Sequence, residues 1–167
     1  MNNNYTLQCV LKTNPYIIGM GNPLRGDDAV GINIAEALIK KMGNFYNAIL
    51  NAEDIIEGHI FTLVNKPEKN FIIIDAVEYP APKGTILFTL YDDNTEEEGG
   101  LSTHKLSLSL SVKILKAHNK NVFLLGIVTN TIEFGSNMSK EVKQSETDVI
   151  NTISMILSEN RKEKLYA

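Results

Sequence analysis

The feature that most limits the possible folds of this chain is a set of short apolar runs that end abruptly. Residues 16–19 read YIIG, residues 71–75 read FIIID, and residues 122–128 read VFLLGIV. Continuous apolar runs of this length are typical of strands buried on both faces, as in parallel sheets. Because parallel strands are joined by long crossover connections, helices are expected between the runs.

Apolar residues recur at helical spacing between these strands. From residue 29 to residue 42 the pattern predicts a helix, because Val30, Ile34, Leu38 and Met42 fall on one face. The same spacing predicts a short helix over 54–64, a helix from Ser102 or Thr103 to about 118, and a final helix from about 139 that frays through 159–164.

Two further strands complete the pattern, at residues 45–50 and 85–91. Only nine residues separate strand 71–75 from strand 85–91, whereas a parallel crossover needs roughly a dozen or more. The strand at 85–91 is therefore predicted to be antiparallel and to lie at an edge. The order βαβαββαβα predicts an α/β fold: a three-layer αβα sandwich on a mostly parallel, five-stranded sheet.

The length of 167 residues suits a single domain. Residues 1–14 precede the first buried strand and are predicted to be an N-terminal appendage, with a single α/β domain at 15–167. Within the appendage, residues 5–11 alternate enough to form an edge strand, and a flexible tail is an equally good interpretation.

Composition excludes several classes of protein. With 16 Lys+Arg against 20 Asp+Glu, the chain has no cationic surplus for a nucleic-acid partner. Its one cysteine, Cys9, excludes an internal disulfide framework and a cysteine-built zinc site. No apolar run approaches the roughly 20 residues of a membrane helix, and the N-terminus does not read as a signal peptide. We therefore expect a cytoplasmic protein without membrane insertion.

Carboxylates follow two of the predicted strands. Asp28 lies in the loop after the first, and Asp75 stands at the end of the third. Ligands of open parallel sheets bind beyond the carboxyl ends of the strands, so both positions favour a functional site. If the fourth strand is antiparallel, the connection that follows it crosses back over the sheet and can bring His104 to the edge where the carboxyl ends of the parallel strands lie. Oxygen and nitrogen donors of this kind suit a divalent ion such as zinc or nickel.

Each of these residues also has a purely structural interpretation. Asp28 suits the N-terminus of the helix that follows it, and His104 suits a surface or capping position at a helix start. Asp75 is harder to explain in this way, because a carboxylate that ends an apolar strand is costly to desolvate unless it is paired or coordinated.

The glycines of the first loop suggest a nucleotide site only weakly. Residues 19–22 read GMGN, but a dinucleotide fingerprint needs a third glycine where Leu24 stands. Asp27 and Asp28 would also repel a pyrophosphate. Nucleotide binding is therefore the less favoured alternative.

Several segments, in order along the chain, resemble the hydrogenase maturation endopeptidases. These proteases remove a C-terminal extension from the large subunit of nickel–iron hydrogenases. The segments are residues 19–31 (GMGNPLRGDDAVG), 73–76 (IIDA), 102–106 (STHKL) and 125–127 (LGI). The resemblance covers about residues 16–157. It implies a twisted five-stranded sheet with one antiparallel strand.

The resemblance also implies the chemistry of the site. Asp28, Asp75 and His104 match the family's metal-contacting residues and are expected to be both catalytic and metal-binding. Nickel is expected to arrive inside the substrate, the hydrogenase large-subunit precursor, and other divalent metals are expected to be able to occupy the site. Asp27 is interpreted as a capping or supporting residue. We expect a monomer, and the alternative function is a non-catalytic nickel-sensing assembly factor on the same fold.

Two places depart from the family pattern. Residues 51–53 read NAE, so that Glu53 stands where many relatives have glycine. Residues 126–129 read GIVT where many relatives have GIQP. We expect Glu53 to alter substrate docking, and the turn at Val128 and Thr129 to recognise a different partner.

Overall fold

The computed structural model describes residues 5–91, 105–130 and 132–166. The strands are β1 (Tyr16–Gly19), β2 (Ile49–Asn51), β3 (Asn70–Val77), β4 (Ile86–Leu90) and β5 (Asn121–Val128). The α-helices described are α1 (Leu7–Leu11), α2 (Val30–Met42), α3 (Ile60–Val64), α4 (Lys105–Ala117) and α5 (Lys140–Tyr166). Short 3-10 helices lie at Gly26–Ala29, Gly43–Phe45 and Ile56–His59.

The five strands form one sheet in the order β2-β1-β3-β5-β4. β1 pairs in parallel with β2 and β3, and β3 pairs in parallel with β5. β4 pairs antiparallel with β5 and lies at the edge of the sheet. The predicted fold class is therefore confirmed, including the antiparallel edge strand, which follows from the short connection between β3 and β4.

Helices cover both faces of the sheet, which explains why its central strands are mostly apolar. On β3, Ile72 and Ile74 belong to the core layer that contains residues of α1, α2 and α5. The intervening Phe71 and Ile73 belong to the opposite layer, which contains residues of α3 and α4. Successive side chains of a strand point to opposite faces, so both sets must be apolar. Among the described residues, no helix is long and apolar enough to cross a membrane.

The N-terminal segment differs from its prediction. Residues 7–11 form helix α1, whereas an edge strand or a flexible tail was predicted. The side chain of Thr6 caps this helix by accepting a hydrogen bond from the backbone N–H of Cys9 at 3.2 Å. Val10 and Leu11 are buried in the core layer next to α5. A run this short carries too few apolar residues to distinguish a period of two from a helical period.

Element boundaries also differ from their predictions. The second strand begins at Ile49 instead of residue 45, because the 3-10 helix Gly43–Phe45 follows α2 directly. The helix predicted at 54–64 is divided into a 3-10 turn and α3. The last helix does not fray at 159–164 but continues to Tyr166. Within its final turns, the guanidinium group of Arg161 lies 4.6 Å from the ring centre of Phe45.

Candidate active site at the carboxyl end of the sheet

The first predicted residue, Asp28, lies in the 3-10 helix Gly26–Ala29, between the end of β1 and the start of α2. Its side chain and backbone are almost fully buried, with 3% of the residue exposed. The loop that precedes it is fixed to both neighbouring strand ends: Met20 donates its N–H to the carbonyl of Ile74, and Gly21 donates to the carbonyl of Glu53, each at 2.9 Å. The carboxylate is thus held at the carboxyl end of the sheet.

A close backbone approach brings this loop against β3. A Cβ on Gly31 would lie 2.2 Å from the carbonyl oxygen of Ile74 and 2.3 Å from that of Met20. Only glycine permits this contact, since real Cβ atoms do not come so close. Asp28 precedes Gly31 by three residues and Asp75 directly follows Ile74. The first turn of α2 therefore brings the two carboxylate-bearing segments together.

The second predicted residue, Asp75, is fully buried within β3. Its Oδ1 accepts a hydrogen bond from the backbone N–H of Ala76 at 2.9 Å. In the sheet it is the register partner of Gly126 on β5. The apolar run suggested that Asp75 is the last residue of the strand. β3 continues to Val77, however, so Asp75 is an internal strand residue.

The third predicted residue, His104, lies outside the described residues, and helix α4 begins at the next residue, Lys105. Within 5–91, 105–130 and 132–166, no three His, Cys, Asp or Glu side chains form a group that could hold a metal ion. The described part of the predicted site thus consists of two carboxylates. Carboxylate oxygens are suitable ligands for divalent ions, and the role of His104 stays a prediction.

Asp27 has a more extensive hydrogen-bond network than the sequence indicated. Its Oδ2 accepts hydrogen bonds from the hydroxyls of Thr129 at 2.9 Å and Ser139 at 3.0 Å, and its Oδ1 accepts the backbone N–H of Ser139 at 2.6 Å. The ammonium group of Lys83 lies 3.8 Å from Oδ2. Asp27 is fully buried. Asp27 therefore caps α5, which begins after Ser139. It also connects its own loop with the β5–α5 connection, through Thr129 and Ser139, and with the β3–β4 connection, through Lys83.

The two departures from the family pattern have structural explanations. Glu53 has a positive φ of 51°. Glycine adopts such a conformation without steric cost, so the glycine of many relatives suits this position better. Val128 and Thr129 are buried. The prediction that their turn recognises a partner is therefore wrong for these two side chains, because they contribute to internal packing and to the contact with Asp27.

Known proteins that are similar to this chain in sequence and in fold include hydrogenase maturation proteases. The family model described as hydrogenase maturation protease matches residues 31–156. A putative hydrogenase maturation protease of Methanocaldococcus jannaschii is 34% identical over 86% of this chain and 88% of its own. A second putative hydrogenase maturation protease of the same organism is 29% identical over 87% of this chain and 96% of its own.

Solved structures share the fold. The NiFe hydrogenase maturation protease HycI from Thermococcus kodakarensis has a TM-score of 0.71 at 24% identity, over 85% of this chain and 90% of that chain. The hydrogenase maturating endopeptidase HybD from Escherichia coli has a TM-score of 0.69 at 22% identity, over 86% of this chain and 91% of that chain.

Proposed function

The chain belongs to the hydrogenase maturation protease family and is a peptidase, and we propose that it removes the C-terminal extension of a nickel–iron hydrogenase large-subunit precursor. One observation carries the proposal: two buried carboxylates, Asp28 and Asp75, lie on backbone segments that Gly31 holds in contact at the carboxyl end of the sheet. Ligands of open α/β sheets bind at this end.

The chemistry of these side chains supports a role as ligands. Asp28 and Asp75 supply carboxylate oxygens at the carboxyl end of the sheet, and such oxygens bind divalent ions. Asp28 lies two residues before the first residue of α2, and the N-terminal end of a helix favours nearby negative charge. Ionised carboxylates are the form that binds metal. We propose that Asp28, Asp75 and His104 together contact the metal and form the catalytic group.

Nickel enters this reaction as part of the substrate. We propose that the large-subunit precursor presents its bound nickel to Asp28, Asp75 and His104, which thereby recognise a loaded precursor before cleavage; other divalent ions would fit the same donor atoms. A divalent ion at such a site supplies Lewis-acid chemistry. Among the described residues, the protein contributes two buried carboxylates, those of Asp28 and Asp75. A monomeric state and a cytoplasmic location stay predictions from the sequence.

The test is cleavage of a nickel-loaded precursor, followed by intact-mass measurement. The wild-type protein is expected to remove the extension, and Asp75→Asn is expected to abolish this, although the amide oxygen can still accept the N–H of Ala76. Asp148→Asn is the matched control, because Asp148 is exposed on α5. His104→Ala is paired in the same way with His118→Ala, at an exposed residue.

Normal cleavage by Asp75→Asn or His104→Ala would remove that residue from the proposed mechanism. A nickel-free precursor and short generic peptides should both resist cleavage, since each lacks the metal that the site is proposed to recognise. Rapid hydrolysis of generic peptides would contradict recognition through nickel. Binding of the loaded precursor without any loss of mass would instead indicate a non-catalytic assembly factor.

A further inference from the structure

We propose that Leu24 and Phe134 together form the surface on which the large-subunit precursor docks; this inference rests on the proposed function. Both are large apolar side chains that do not enter either core layer. Leu24 is 58% exposed in the loop between β1 and α2, and Phe134 is 73% exposed in the connection between β5 and α5. We call these two residues the docking pair.

The two residues are neighbours although 110 positions separate them in the sequence. The backbone N–H of Gly135 donates to the carbonyl of Leu24 at 2.8 Å, so the backbones that carry Leu24 and Phe134 lie side by side. Exposed charged residues flank the pair, with Arg25 beside Leu24 and Glu133 beside Phe134. Single exposed apolar residues are common, but an apolar centre with a polar rim is typical of a protein–protein interface.

Hydrogen bonds and close packing between the two loops fix the segments that carry the docking pair. The side chain of Asn22 accepts the N–H of Leu24 at 3.0 Å. A Cβ on Gly26 would lie 2.3 Å from the hydroxyl of Ser136, so the two loops pack closely. Thr129 and Ser139, on either side of Phe134 in the sequence, both donate to the carboxylate of Asp27. A surface that is already ordered loses less entropy when a partner binds.

The position of the docking pair indicates which partner it fits. Leu24 precedes Asp28 by four residues, and Asp27, which connects the two loops, is the residue directly before Asp28. A molecule that rests on the pair therefore lies beside the proposed catalytic residues. Small molecules bind in enclosed cavities, whereas both side chains are exposed by more than half. A large partner is therefore the occupant that these observations favour, and the proposed function brings the large-subunit precursor to this end of the sheet.

The experiment compares precursor binding and cleavage by the Leu24→Ala/Phe134→Ala double variant with a matched control. The control is Leu165→Ala/Met155→Ala on α5, where the two residues are 70% and 56% exposed and lie away from the carboxyl end of the sheet. We expect the double variant to raise Kd and KM for the precursor by about tenfold or more, with kcat at saturation and the melting temperature nearly unchanged. The control should match the wild type in all four quantities.

Three outcomes would overturn the proposal. An unchanged Kd for the double variant would exclude the pair as a docking surface. An equal loss in the control would indicate a general effect of surface hydrophobicity. A wild-type dimer in sedimentation that the double variant alone disrupts, at unchanged precursor affinity, would indicate that a second copy of this chain covers the pair.

Failure of the proposed function gives a different result. If the wild type binds the precursor but leaves its mass unchanged, the proposed reaction is wrong, and the binding measurement still tests the docking pair. If the wild type neither binds nor cleaves the precursor, both proposals are wrong. If the wild type cleaves and the double variant cleaves with the same KM, only the docking pair is rejected.

Discussion

The two ends of the sheet are constructed differently. At the carboxyl end, three aspartates are buried: Asp27, Asp28 and Asp75. At the amino end, neutral amides near the surface form part of the network, with Asn121 donating to Asn70 and Asn70 donating to Thr13, each at 2.9 Å, and the ammonium group of Lys120 donates to the backbone carbonyl of Glu68 at 3.0 Å. A buried carboxylate requires fixed partners, whereas an exposed amide can exchange its partner for water at little cost. All three buried aspartates of the described residues therefore lie at the end where the chemistry is proposed.

Aromatic side chains at the amino end are kept neutral. Burial, and in addition the negative charge of Glu68, raise the pKa of Tyr16 and of Tyr46 above the ordinary value of tyrosine. The hydroxyl of Tyr46 donates to the carbonyl of Pro15, just before β1. These groups contribute to packing as protonated phenols. The amino end thus supports the fold, and perturbations there should leave peptidase activity intact.

The largest effect is expected from Gly31→Ala. The new Cβ would overlap two backbone carbonyl oxygens that cannot move independently of β1 and β3. Overpacking of this kind should lower the free energy of unfolding by about 3 kcal/mol or more and displace Asp28, so precursor cleavage should be lost as well. Urea denaturation and the cleavage assay measure the two effects. Gly58→Ala is the control, because the nearest neighbour of its Cβ would be at 3.8 Å; it should change stability by less than about 0.5 kcal/mol.

Asp27→Ala should have the next largest effect. It leaves the hydroxyl of Thr129 and the N–H of Ser139 without their acceptor in a buried region. We expect a loss of about 2 kcal/mol in the free energy of unfolding, measured by urea denaturation, together with weaker precursor binding. Asp148→Ala, at an exposed aspartate that accepts a hydrogen bond from Gln144, should cost much less. An equal decrease in the free energy of unfolding for the two variants would show that the buried contacts of Asp27 contribute no more to stability than those of an exposed aspartate.

A smaller effect is expected at the amino end from Asn160→Ala. The Asn160 side chain donates to the carbonyl of Leu11 at 3.0 Å and to the side chain of Asn14 at 3.2 Å, and so attaches α1 to α5. Its removal should lower the free energy of unfolding by about 1 kcal/mol. The kcat for precursor cleavage should stay at the wild-type value. A large decrease in kcat without unfolding would show that the amino end is not merely structural.

The smallest effect, and one of opposite sign, is expected from Glu53→Gly. Three non-glycine residues described have positive φ: Asn14 and Asn119 at the amino end, and Glu53 at the carboxyl end. Asparagine adopts this conformation readily, and glutamate does not. Relief of the strain, less the added flexibility of glycine in the unfolded chain, should raise the free energy of unfolding by about 0.5 kcal/mol.

The matched change Asn119→Gly should give no gain in the same thermal and urea measurements. A stabilisation equal to that of Glu53→Gly would mean that residue type at these positions is unimportant. If Glu53→Gly also changes KM for the precursor, the side chain of Glu53 contributes to docking, as the departure from the family pattern predicts.

Much of the fold followed from local patterns. The apolar runs that contain Ile17 and Ile73 predicted β1 and β3, because burial on both faces leaves no polar position in such a strand. Asp75 was recognised as a candidate site residue because it is a carboxylate that directly follows such an apolar run. The helical interpretation of residues 7–11 was out of reach, since Val10 and Leu11 are buried in a core layer whose other residues, among them those of α5, lie farther along the chain.

From β1 onward, the sequence by itself determined the order of strands and helices, the antiparallel edge strand and the candidate carboxylates Asp28 and Asp75, since each depends on residue types close together in the chain. The tertiary structure decided the partners of Asp27, which lie 102 and 112 residues away, and the meeting of Leu24 with Phe134. Periodicity reports which face of an element is buried, but not which distant loop will cover it. The precise arrangement of the carboxyl end therefore arises from long-range packing.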